Sequence, residues 1–208
     1  MSLNVVVLGA AGRTGRLIVA EALRSGHHVT AAVRNPASVP AAPALRVERA
    51  DVRDADSLRA VIKGHDAVVC AIGAPGRKAN NLYSDGARAT VSAMQASGVK
   101  RLLAITSVGV RHDDPRHAWW YRALIRPIGA DLYADMARME HIVRDSDLDW
   151  TFVRPTYLQD REPTGSYRVT HDSTPKGGWR ITRADVARFI VEELDAHRWS
   201  RQAPSLAE

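Results

Sequence analysis

Gly9, Gly12 and Gly15 recur at intervals of three. They follow the apolar run Val5-Val6-Val7-Leu8 and lead into a helical pattern that begins with Arg13 and Thr14. Glycine at the first position permits a sharp turn at a strand end. The second removes a Cβ from the path of a pyrophosphate, and the third lets the new helix pack closely on the strand. The free N–H groups and positive dipole end of that helix then face the phosphates. A glycine triplet alone is weak evidence, but a strand before it and a helix after it make this a dinucleotide site. Gly9, Gly12, Arg13, Thr14 and Gly15 are its expected contacts.

The second strand, His27 to Val33, runs straight into Arg34. An NAD enzyme places an acid here to bond the ribose 2′-hydroxyl. A guanidinium instead pairs with a 2′-phosphate. The expected cofactor is therefore NADPH, with NADH disfavoured.

These residues need a frame, and the chain supplies alternating strands and helices. Leu45 to Arg49 reads as a third strand. Asp54 or Asp56 can cap a helix through Leu58, Val61 and Ile62. Asp66 to Ile72 is a nearly continuous apolar strand, suited to the middle of a parallel sheet. A helix with Gly86, Ala87, Val91, Met94 and Ala96 on one face runs to Gly98, and Lys100 to Thr106 is the next strand. Met136 to Arg144 reads as helix, Trp150 to Val153 as strand, and Thr182 caps a final helix. The expected fold is α/β: a single Rossmann-like, doubly wound, mostly parallel sheet with helices on both faces. In such sheets ligands lie outside the carboxyl ends of the strands. That rule selects the loops 9–15, 34–36, 72–76 and 106–110. Asp51 and Val52, at the third strand end, are placed for the adenine. Ile72 and Gly73 end the fourth strand where backbone can pass close to the cofactor.

Bulk composition sets bounds. The length of 208 residues suits one domain over 1–208. No apolar run is long enough to span a bilayer, and the early first strand argues against a signal peptide. A lone Cys70 excludes an internal disulfide and reads as a buried strand residue. A cytoplasmic location is the default expectation. The net charge is +6, which raises nucleic acid as a partner. Yet the arginines are scattered and no reader motif is present, so neither nucleic acid nor membrane is expected.

The glycine turn, Val33-Arg34, Ala50-Asp51-Val52, Ser84-Asp85-Gly86-Ala87-Arg88, Ile105-Thr106-Ser107 and Thr164-Gly165-Ser166-Tyr167 together resemble one group. The chain is similar, over nearly its whole length, to NADPH-dependent flavin reductase/biliverdin-IXβ reductase-like proteins. These are atypical short-chain dehydrogenase/reductases close to the NmrA-like proteins. The resemblance implies NADPH binding and reduction of flavins or similar flat conjugated acceptors. It places the active-site Thr-Ser pair on Thr106 and Ser107, and the stretch flanking the nicotinamide on Pro155, Thr156 and Tyr157. Two positions depart from that group: Tyr157 replaces a histidine, and Ser38 replaces a second arginine near the 2′-phosphate.

The Tyr-x-x-x-Lys pair of many short-chain dehydrogenases is missing, since none of the four lysines stands in that relation to a tyrosine. Alcohol–ketone chemistry by that route is not expected. A flavin needs less help, because its N5 accepts hydride directly and stacking against the nicotinamide does most of the work. Ser107, at a strand end, could hold the carboxamide or donate to the acceptor, or simply form a turn. Tyr157 could stack on the acceptor or relay a proton. These two are the catalytic candidates.

The segment 108–134 is expected to be a substrate lid. Val110, Trp119, Trp120 and Tyr121 are its candidate contacts for a flat ring. His112, Asp113, Asp114 and His117 lack a rigid ligand spacing, so no metal is expected. A small-molecule acceptor is the expected partner, and the chain is expected to be a monomer or homodimer. Two other readings keep the same cofactor site: a non-catalytic NADP(H)-sensing regulator resembling NmrA, and a biosynthetic reductase or isomerase.

Overall fold

The computed structural model describes residues 2–116 and 126–208. Its centre is a sheet in the order β3-β2-β1-β4-β5-β6-β10-β8. The strands are β1 (Asn4–Leu8), β2 (His28–Val33), β3 (Leu45–Arg49), β4 (Ala67–Cys70), β5 (Arg101–Ile105), β6 (Asp149–Pro155), β8 (Arg168–His171) and β10 (Pro204–Ala207). Among the described residues, only the β10–β8 pair of this sheet is antiparallel. A separate parallel pair joins β7 (Tyr157–Gln159) to β9 (Arg180–Thr182). The helices are α1 (Arg13–Arg24), α2 (Ala55–Ile62), α3 (Leu82–Ser97), α4 (Ala130–Arg144) and α5 (Arg183–Ala196).

Strand alternation builds two cores. Val6, Leu8, Val68 and Cys70 face α2, α3 and α4, where Leu58, Ile62, Met94 and Met139 are fully buried or nearly so. Val5, Val7 and Val69 face the other way, against Ile18, Val19, Phe189 and Ile190 of α1 and α5. Each wholly buried aliphatic side chain contributes roughly 1.5–3 kcal/mol. The chain turns back at β1, with β2 and β3 on one side and β4 onward on the other. This switch point puts a crevice beyond the carboxyl ends of β1 and β4.

Several expectations shift. The second, fourth and fifth strands are each slightly shorter than expected, while β6 runs two residues further, to Pro155. Helix α4 begins at Ala130 rather than Met136. Its N-cap is Gly129, which offers no side-chain signal. The expected lid therefore is not one loop: Val108–Val110 and Arg126–Gly129 form 3-10 turns, and 130–134 belongs to α4. Trp119, Trp120, Tyr121 and His117 lie outside the described residues. Strands β7 to β10 have no counterpart among the expected elements, which after Val153 comprise the helix capped by Thr182. That cap is present, with Thr182 Oγ1 accepting from the Asp185 N–H at 2.9 Å.

Candidate functional site

The glycine turn is shaped by close contacts at two of its three positions. Gly9 has φ +78°, and a Cβ there would stand 2.7 Å from the Ala71 carbonyl oxygen at the end of β4. At Gly15 a Cβ would lie 2.2 Å from the Gly9 carbonyl oxygen, so only glycine lets α1 settle on the turn. Gly12 differs. A Cβ there would meet only the Gly9 oxygen, at 3.1 Å, and otherwise open space. The turn is closed by the Gly12 N–H donating to that same oxygen.

Helix α1 starts without a side-chain cap and without an acid in its first turn. The Arg16 N–H is the first to find a helical partner, the Gly12 carbonyl. The N–H groups of Arg13, Thr14 and Gly15 are left at the helix mouth, where the helix dipole favours an anion. This donor set, behind a glycine with open space, fits a dinucleotide pyrophosphate.

The neighbouring strand ends complete the crevice. Arg34 follows β2 and is exposed, with no ion pair among the described residues. The next residue, Asn35, caps the Pro36–Ser38 turn through Oδ1 accepting from the Ala37 N–H at 3.2 Å. Asp51 is exposed after β3, and its Oδ1 accepts from the Arg53 N–H at 3.0 Å. Val52 and Ile72 both pack on Gly86 of α3, where a Cβ would sit 3.1 and 3.2 Å from their side chains. Gly73, three residues beyond the end of β4, has nothing near its absent Cβ. The following loop is held by the Ala74 N–H donating to the Tyr83 hydroxyl at 3.1 Å. Burial of that hydroxyl raises the tyrosine pKa.

Ser107 and Tyr157 stand at the ends of β5 and β6, which are paired in register through Ile105 and Val153. The Ser107 Oγ accepts from the Gly109 N–H at 3.1 Å and so caps the Val108–Val110 turn. Accepting this bond leaves the hydroxyl hydrogen available to donate. Val110 is half-buried on the same turn. The ring of Tyr133, in the first turn of α4, fills the space against Gly109 and Gly129. A residue expected in the lid is thus a support for the Ser107 turn.

Thr106 and Thr156 depart from the expected cofactor-facing role at the side chain. A buried hydroxyl needs a partner, and both find one within the fold. Thr106 Oγ1 donates to Glu140 at 2.8 Å, and Thr156 Oγ1 donates to the Leu206 carbonyl at 3.2 Å. Pro155 is buried and paired with Leu206 of β10.

Three features escaped the sequence. Glu140 of α4, fully buried, accepts from Thr106 at the end of β5 and from Arg154 in β6. Asp160, just after β7, pairs with both Arg13 and Arg183, the first residues of α1 and α5. Burial and the nearby Arg13 press the Arg183 pKa below its ordinary value. The third is an exposed stack: Tyr157 is 66% exposed, and its ring lies 6.5 Å from that of Trp179 at 18°. The Thr164-Gly165 motif has a structural use, since Asp185 accepts from both N–H groups at 3.0 Å. Asp114 similarly spends its carboxylate on the Arg116 N–H and on Thr174.

Known proteins share this architecture. The NAD(P)H-binding family matches residues 9–197. A Bacillus subtilis relative, the uncharacterized protein YwnB, is 31% identical over 205 residues, covering 93% of this chain and 92% of its own. A Streptococcus pneumoniae structure, provisionally described as an NADH-flavin reductase, superposes with a TM-score of 0.79 at 26% identity, with 100% of each chain covered. The Lactococcus lactis oxidoreductase ylbE has a TM-score of 0.84 at 19% identity, covering 99% of this chain and 91% of its own, a likeness of fold. No helix among the described residues is long and apolar enough to cross a membrane. The chain belongs to the NAD(P)H-binding family, which it matches from the glycine turn to the end of its last helix.

Proposed function

We propose that the protein is an NADPH-dependent reductase that passes hydride to a flavin or a similarly flat conjugated acceptor. One observation carries this reading: the mouth of α1, uncapped and with no acid in its own first turn, lies behind Gly12, at the same end of the sheet as Arg34, Ser107 and Tyr157. The reduced nicotinamide, when bound, supplies a hydride from its C4. The chain's own residues bind and orient. Gly12 and the N–H groups of Arg13, Thr14 and Gly15 hold the pyrophosphate, and Arg34 holds the 2′-phosphate. Asp51 and Val52 border the adenine, and Ile72 and Gly73 line the passage toward the nicotinamide. Ser107 donates its hydroxyl hydrogen to the carboxamide or the acceptor, and Tyr157 offers a ring face. The whole of 1–208 acts as one nucleotide-binding unit, with the Val108–Val110 turn bordering the acceptor.

The Streptococcus pneumoniae likeness supports a flavin as the acceptor class. So does the missing Tyr-x-x-x-Lys pair, since a flavin N5 takes hydride without a tyrosine proton relay. The test is NADPH and NADH oxidation at 340 nm with FMN, riboflavin, a biliverdin and a quinone. Turnover with NADPH and at least one of these is the expected result. Tight NADPH binding with no turnover on any of them contradicts the reading and favours a nucleotide-sensing regulator.

A further inference from the structure

Tyr157 and Trp179 are both more than half exposed, at 66% and 54%, although they are among the largest apolar side chains of the protein. Their rings are nearly parallel, and the strands behind them fix that relation: the Tyr157 N–H donates to the Trp179 carbonyl at 3.1 Å, where β7 meets β9. The guanidinium of Arg180 lies 5.1 Å from the Trp179 ring centre. A rigid, solvent-facing aromatic ladder topped by a cation is a surface for a planar ring with a negative arm.

This ladder is continuous with the candidate site. Tyr157 follows the end of β6, beside the Ser107 turn. The 172–174 loop, which leads toward Trp179, is tied to the segment after Ser107 at three points. Arg111 donates to the Asp172 carbonyl, Asp114 accepts from Thr174, and Arg116 donates to the Thr174 carbonyl at 3.2 Å. The charge around it is also uneven. Arg161 and Arg180 both approach Glu208 Oε2, the latter only at 3.7 Å, and Arg168 donates to the Glu208 carbonyl at 2.9 Å. Two guanidinium groups thus share one side-chain carboxylate while a third binds the main-chain oxygen of the same residue, and Arg180 is the most loosely held.

We infer that Trp179 and Arg180 form, with Tyr157, the acceptor-binding face, and that the acceptor is a conjugated ring carrying an anionic arm. The ring lies on the Tyr157–Trp179 ladder and the arm, a phosphate or carboxylate, pairs with Arg180. This rests on the reductase reading above and adds the acceptor's shape and charge to it.

FMN and riboflavin differ by the phosphate alone, so they separate the two halves of the inference. Trp179→Leu is expected to raise the KM for both roughly tenfold, the scale of a lost stacking contact, with the KM for NADPH unchanged. Arg180→Ala is expected to raise the KM for FMN roughly five- to tenfold and to leave riboflavin unaffected. Binding is read separately, from quenching of tryptophan fluorescence by FMN with NADP+ present, in the wild type and in both variants. Thermal unfolding of both variants checks that these exposed changes leave the fold intact. An active wild type whose FMN and riboflavin constants survive both substitutions overturns the acceptor face and leaves the reductase reading standing. A wild type that binds FMN through Trp179 but never turns over overturns the reductase reading and leaves the face. No quenching and no turnover overturn both.

Discussion

Glu140 and Arg154 meet through two hydrogen bonds, Nε to Oε1 at 2.9 Å and Nη2 to Oε2 at 2.5 Å. The carboxylate is wholly buried and the guanidinium nearly so. Oε1 also takes the Thr106 hydroxyl and Oε2 takes Arg144 at 2.9 Å. One buried acid on α4 therefore fixes the ends of β5 and β6, from which Ser107 and Tyr157 project.

Removing that acid leaves a buried guanidinium with its longer contact to Asp172, at 3.4 Å, in place of two short bonds. Glu140→Ala is expected to destabilise the fold by about 3–5 kcal/mol, the cost of breaking a buried pair. Glu140→Gln, which keeps an oxygen acceptor and the shape, should cost less than the alanine variant. Urea unfolding of both checks this. Equal and negligible losses would mean that the pair does not hold the strand ends together.

The glycine turn separates folding from binding. Gly15→Ala forces a Cβ onto the Gly9 carbonyl and should unfold the turn or lower Tm markedly. Gly12→Ala meets only one atom at 3.1 Å, so Tm should change little while dinucleotide affinity falls by at least tenfold. Calorimetric titration with NADPH alongside thermal scans tests the pair. A Gly12→Ala protein that binds normally removes the pyrophosphate from this turn.

Arg34→Ala should weaken NADPH roughly ten- to a hundredfold, the scale of a lost charge-assisted contact. NADH, which lacks the 2′-phosphate, should be nearly unaffected. Equal losses for both nucleotides would remove the 2′-phosphate assignment.

Burial pushes the Cys70 thiol up to about 11 from an ordinary 9.0. Because the folded value is the higher one, the protonated thiol favours the folded state. Its contribution is fully present below pH 9 and is lost as pH rises from about 9 to about 11, reaching about 3 kcal/mol at most. The stability of Cys70→Ala should fall less steeply than that of the wild type over this window. In the native state at pH 8 a thiol reagent should leave Cys70 unmodified and should react only after unfolding.

Much of the frame was legible because its signals are local. The β-branched run before Gly9 and the Asp54 cap, which accepts from Asp56 and Ser57 N–H groups, each sit within a few residues of what they specify. The missing parts depend on distant partners. Strand β7 spans three residues and exists through its pairing with β9, and β10 through pairing with β6 and β8. The start of α3 is not capped by its own Asn81; instead Asp135 of α4 accepts the Tyr83 N–H at 2.8 Å. Glu140 and Arg154 lie on different elements and face each other only after α4 packs on the sheet. Trp179 showed no pattern in sequence, because its meaning comes from Tyr157 across the β7–β9 pair. The resemblance places Thr106 and Thr156 at the site, but a matching motif does not reveal which way a buried hydroxyl turns.

The most direct test of the central claim is a single turnover without oxygen. The protein–NADPH complex is mixed with FMN while absorbance is followed at 340 nm and in the flavin band. The reductase reading predicts that both signals fall together, one NADPH consumed for each flavin reduced, far faster than in the absence of protein. A complex that keeps its full 340 nm absorbance in the presence of FMN would contradict it.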